Sequence, residues 1–81
     1  MQAAVLILVG ANGGPLAVGS KGRINGGDGE FVVGYDGRAF VKDLKGANIV
    51  TVTLEKSECH AAFDYAASED SQVVIGPVSC L

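Results

Sequence analysis

Apolar and polar residues alternate along much of this chain with a period of two, and no apolar stripe runs at helical spacing for three turns. The organising stretch is residues 30–44. Two β-branched and aromatic runs, residues 31–34 and 38–42, flank Tyr35-Asp36-Gly37, and Asp-Gly between alternating apolar runs is a strong hairpin signal. Register sets the faces. A three-residue loop with Gly37 left-handed pairs Gly34 with Arg38 and gathers Phe31, Val33, Ala39 and Val41 on one wholly apolar face. A two-residue loop pairs Tyr35 with Arg38 and mixes Phe31, Val33 and Phe40 with Arg38 and Lys42. The apolar face favours the first register. It leaves Val32 and Phe40 adjacent on the outer face, framed by Arg38 and Lys42, as the candidate contact spot. Cover by another strand or loop is the competing reading.

The other elements follow from the same pattern. Residues 3–9 are continuously apolar; Val5, Ile7, Val9 and the following Gly10 favour a strand over a short helix. Residues 10–15 form a turn by composition, and a return strand starts at 16–18, breaks at 19–22 and resumes at Arg23-Ile24. Residues 48–54 read as a strand with Val50, Val52 and Leu54 inward and Thr51 and Thr53 outward. Residues 59–65 return with Cys59, Ala61, Phe63 and Tyr65 inward. A polar connection, 66–71, leads to a last strand at 72–75, broken by Gly76-Pro77. Seven short strands at this spacing predict a small antiparallel β-sandwich, one domain over 1–81, with no helix longer than two turns.

Composition narrows the function classes. The 81 residues are 48% hydrophobic and 19% charged, a folded composition. Six basic and nine acidic residues give a net charge of −3 with no basic stripe, which argues against a nucleic-acid partner. The run at 3–9 is too short for a membrane-spanning helix, and no basic segment precedes it as in a signal peptide. Cys59 and Cys80, the two cysteines, read as one disulfide in an oxidising compartment, with two buried free thiols as the alternative.

No catalytic constellation can be built. His60 neighbours Cys59 on a strand, so the two point to opposite faces and are not a nucleophile and its base. One His and two Cys are too few for zinc without a carboxylate. Ser20, Ser57, Ser68, Ser71 and Ser79 sit in turn-like contexts without a base. The glycine-rich residues 25–29 precede no helix and lack the oxygen ligands of a calcium loop. The expectation is a binding module, with no enzyme activity, metal, cofactor or small-molecule substrate.

The order of motifs resembles the C-terminal domain of the outer-membrane ushers of the bacterial chaperone–usher pathway. Gly14-Pro15-Leu16 followed by Gly19 resembles the family's Gly-x-Pro-Leu-Pro-Phe-Gly-Ala segment. Val33-Gly34-Tyr35-Asp36-Gly37-Arg38-Ala39-Phe40-Val41 with Leu44 resembles its Val-Gly-x-x-Gly-x-Val-Tyr-Leu-x-Gly-Leu hairpin. Val50-Thr51-Val52-Thr53-Leu54, then Cys59 and later Cys80, resembles its Leu-x-Val-x-Trp…Cys strands and second cysteine. Ala17, Val18, Asp43 and Leu54 depart from the pattern. The resemblance implies the C-terminal periplasmic domain of a larger usher, a β-sandwich that works beside the other usher domains. It implies a module on the periplasmic side of the outer membrane that engages chaperone–pilin subunit complexes during pilus assembly and secretion. The expected partner-binding residues are Val32, Arg38, Phe40 and Lys42. The alternative class is a free-standing extracellular β-sandwich, an adhesin or carbohydrate-binding module, against which the lack of Trp argues.

Overall fold

The computed structural model describes residues 2–67 and 72–81, so residues 68–71 of the polar connection, with Ser68 and Ser71, lie outside the described residues. The strands are β1 (Ala3–Val9), β2 (Lys21–Ile24), β3 (Glu30–Val32), β4 (Arg38–Lys42), β5 (Ala47–Thr53), β6 (Glu58–Asp64) and β7 (Val74–Ser79). They form a three-stranded sheet in the order β4-β1-β7 and a four-stranded sheet in the order β3-β2-β5-β6. This is the expected small β-sandwich of seven strands. One ladder, β1–β7, is parallel; the other strand pairs are antiparallel.

Inward residues from both sheets make the core. Ala4, Leu6 and Leu8 of β1 meet Val50 and Val52 of β5 and Ala61 and Phe63 of β6 in one buried cluster. On β2 the inward position is Gly22, opposite Phe31 on β3. A Cβ on Gly22 would collide with the Phe31 ring and come within 2.9 Å of the Thr51 carbonyl oxygen. A glycine there leaves the ring room to lie over the strand.

The central hairpin is corrected by the sheet pairing. The local turn forms as the three-residue register requires: Gly37 is left-handed at φ 75°, and the Gly34 N–H donates to the Arg38 carbonyl at 2.7 Å. Its arms do not pair with each other. β3 pairs with β2, and β4 pairs with β1 in the other sheet. The ladder leaves the turn at once, because Val33 instead bonds the segment before β2: its N–H donates to the Ser20 carbonyl and its carbonyl accepts from the Gly19 N–H, both at 2.8 Å. Asp36 is also left-handed, at φ 59°, so two consecutive left-handed residues turn the chain from one sheet to the other. The inward set Phe31, Val33, Ala39 and Val41 is buried as expected. A hairpin and a corner between sheets bury the same alternate residues, so alternation alone cannot separate them.

Two further expectations change. Residues 16–18 form no strand; Leu16 is buried and its N–H donates to the Leu8 carbonyl, but Val18 is exposed as the chain crosses between sheets. Gly76-Pro77 does not end the last strand. β7 starts at Val74 and runs through the pair with a register shift between Leu6 and Leu8 of β1. β7 is an edge strand, where a proline's missing N–H can face away from the ladder.

A polar knot ties the β2–β3 loop to β5. Buried Asn48 accepts at Oδ1 from the Asn25 Nδ2 (2.9 Å) and the Lys45 N–H (2.8 Å), and its Nδ2 donates to the Lys45 carbonyl at 2.7 Å. Asn48→Ala would leave those groups without partners, so it should lower the unfolding free energy by about 1–3 kcal/mol, read by urea denaturation. A change within about 0.5 kcal/mol would mean that water replaces the amide.

Candidate interaction surface

The two outer faces of the sandwich differ in chemistry. On the β3-β2-β5-β6 sheet the outward residues include Lys21, Arg23, Glu30, Thr51, Glu58 and His60, and Thr51 Oγ1 and His60 Nδ1 hydrogen-bond at 3.2 Å. Ile49 and Val32 are exposed among them. The outer face of the β4-β1-β7 sheet is apolar along its centre. The outward residues of β1 are Ala3, Val5, Ile7 and Val9, all half-buried. Register sets Phe40 of β4 and Val74 of β7 on either side of Val5. Phe40 is 59% exposed and Val74 51%, so the row Phe40–Val5–Val74 is open to solvent. Arg38 lies beside Ile7, and Lys42 beside Ala3, at the border.

Three of the four expected contact residues therefore share one strand and one face: Arg38, Phe40 and Lys42 on β4. Val32 does not join them. It is exposed, as expected, but sits on β3 opposite Lys21, on the other sheet's outer face. The sequence reading missed Val5 and Val74. The signal lay in residues 3–9, whose alternate residues are apolar on both faces. Such a run reads as a strand buried on both sides. In a two-layer sandwich one of those faces has no third layer to cover it.

Cys59 and Cys80 form a disulfide with Cα atoms 5.2 Å apart. It links β6, the edge of one sheet, to the chain just after β7, the edge of the other. Two backbone hydrogen bonds between His60 and Leu81, at 2.7 and 2.9 Å, lie beside it. The opposite side of the sandwich is open. There a groove of about 320 Å³ runs between the β2–β3 loop and the end of β4, with Ile24, Phe31, Phe40 and Val41 as its apolar lining and Asp28, Glu30, Lys42, Asp43 and Lys45 as its charged residues. Among the described residues no three His, Cys, Asp or Glu side chains gather in a metal-binding group, and no helix is long and apolar enough to cross a membrane.

No protein-family model matches the chain, and no curated protein matches it. Among solved structures it is similar to the Caf1A usher C-terminal domain, with a TM-score of 0.76 at 16% sequence identity, over 98% of this chain and 96% of that one. That domain is described as carrying conserved hydrophobic clusters on its surface that are important for F1 antigen assembly. At this identity the likeness establishes a shared fold.

Proposed function

We propose that this chain is the C-terminal, periplasmic domain of an outer-membrane usher and a non-catalytic module for pilus assembly. In this reading it engages chaperone–pilin subunit complexes beside the other domains of the same usher. The observation that carries the proposal is the open apolar row Phe40–Val5–Val74 on a sandwich with the fold of an usher domain. A solvent-facing aromatic flanked by aliphatic residues suits an anchor that is desolvated on binding, and Arg38 and Lys42 at the border suit steering of an acidic partner. The motif order of the sequence supports the same family, and the Cys59–Cys80 bond suits an oxidising compartment such as the periplasm.

Phe40→Ala should weaken binding of a periplasmic chaperone–pilin complex by about 1–3 kcal/mol, the scale of an aromatic anchor. Because the ring is largely exposed, the same change should alter unfolding free energy by less than about 1 kcal/mol. Val32→Ser, on the opposite face, should leave binding unchanged. Arg38→Glu should mainly slow association and reduce its salt dependence. Surface-immobilised domain titrated with the complex reads all three. Equal binding by wild type and Phe40→Ala would remove the contact surface. Absence of binding to any chaperone–pilin complex, with binding to a glycan array instead, would replace the usher reading with the carbohydrate-binding one.

A further inference from the structure

The edges of the two sheets are unequally protected. β3 has three residues, too few to template much pairing. β7 carries the Gly76-Pro77 register shift, and β6 already bonds Leu81 at His60. β4 is different. Its five residues alternate regularly, and its ladder with β1 is continuous from Arg38 to Lys42.

The direction of its backbone groups follows from two bonds. The Arg38 carbonyl accepts from Gly34 and its N–H donates to the Tyr35 carbonyl, so both groups of Arg38 point away from β1. On the facing strand, the N–H of Val5, the partner of Phe40, donates to the Val73 carbonyl, away from β4. In an antiparallel ladder these directions alternate by residue. The N–H and C=O of Phe40 and Lys42 therefore also point away from β1, into the open side of the sandwich where the groove lies. No backbone bond outside the ladder reaches either residue among the described residues.

We infer that this edge of β4 is a second binding site, which takes an extended peptide segment of a partner as an added antiparallel strand. Charge selects the segment. A second copy of the same strand, paired about Phe40, would set Arg38 against the second copy's Lys42, and like charges directly opposite are unfavourable. A foreign strand escapes that penalty when acidic side chains stand opposite Arg38 and Lys42 and an apolar one stands opposite Phe40. Its alternate side chains then point to the groove side, over Ile24, Phe31 and Val41. The pattern is acidic–apolar–apolar–apolar–acidic, with main-chain bonds giving affinity and alternate side chains giving selection. The site is argued from backbone direction and charge, so it stands or falls separately from the partner proposed above.

The test is a titration of the ¹⁵N-labelled domain with the peptide Ac-Thr-Glu-Val-Val-Val-Glu-Thr-NH2, and with the same peptide carrying Lys for both Glu. The acidic peptide should shift the Phe40 and Lys42 amides and slow their solvent exchange, and should bind at least tenfold more tightly than the lysine peptide at low salt. Lys42→Ala, which removes the cation alone, is the control for Lys42→Pro, which also removes the outward N–H and should weaken the acidic peptide at least a further tenfold. Should that variant not fold, the two-peptide comparison on the wild-type domain decides alone. Equal affinity for the two peptides, no binding of the acidic one, or shifts at Val5 and Val74 without change at the Phe40 and Lys42 amides would overturn the site.

Discussion

Replacing Gly37 by alanine should lower the unfolding free energy by about 3–5 kcal/mol, although the substitution adds one methyl group. Two effects combine. Gly37 is left-handed at φ 75°, which costs an L-residue about 1–2 kcal/mol. In addition, a Cβ at this position would overlap the Leu8 carbonyl oxygen. Leu8 cannot move aside, because it is fully buried on the central strand, is held in the β1–β7 ladder, and accepts from the Leu16 N–H at 3.2 Å. The clash must be relieved by displacing the turn, which also holds β4 against β1. Urea denaturation measures the loss. Asp36→Gly is the control: Asp36 is left-handed and exposed, so glycine there should change stability by no more than about 1 kcal/mol in either direction. A loss under about 1 kcal/mol for Gly37→Ala would mean that the turn does not lie against β1 as described.

Removal of the disulfide is the other large effect. The double variant Cys59→Ala, Cys80→Ala should lose about 3 kcal/mol, the chain-entropy value for a loop closed across a separation of 21 residues. In a domain of this size that is a large share of the whole stability. Thiol titration of the unreduced, unfolded protein should find no free thiol, and reduction should move the denaturation midpoint as far as the double variant does. Two titratable thiols before reduction would contradict the bond. A midpoint unmoved by reduction would mean that the His60–Leu81 backbone pair closes this side of the sandwich unaided.

The faces of the strands were legible in the sequence, as was the return of β6 along β5, but the other partners were not. Burial alternates with a period of two whichever sheet a strand joins, so Phe31, Val33, Ala39 and Val41 were rightly placed inward. The three-residue turn was legible too, because Asp36-Gly37 is local chemistry. What the turn joins depends on pairing with distant residues: β3 with β2, and β4 with β1. A short loop between alternating runs looks the same as a hairpin and as a corner between sheets. That ambiguity displaced Val32 from the candidate site while Arg38, Phe40 and Lys42 stayed together on one strand. Val5 and Val74 were hidden for a related reason. Val5 meets Phe40 through the antiparallel β1–β4 ladder, and Val74 joins them only through the parallel β1–β7 ladder, which joins strands from the two ends of the described chain.

The same ladder fixes the order in which the domain can be completed. β1 is the first strand in the sequence and the middle strand of its sheet, between β4 and β7. Leu6 and Leu8 are therefore made early in synthesis, but their final neighbours on the β7 side arrive only with Ile75 and Val78. Contacts between such distant segments are made late, after the entropy of closing a long loop has been overcome. Until then the most apolar strand of the chain lacks one flank, and Cys59 lacks Cys80. The partner strand of β1 and the partner thiol of Cys59 thus come from one segment, and the same last stretch of the described chain supplies both.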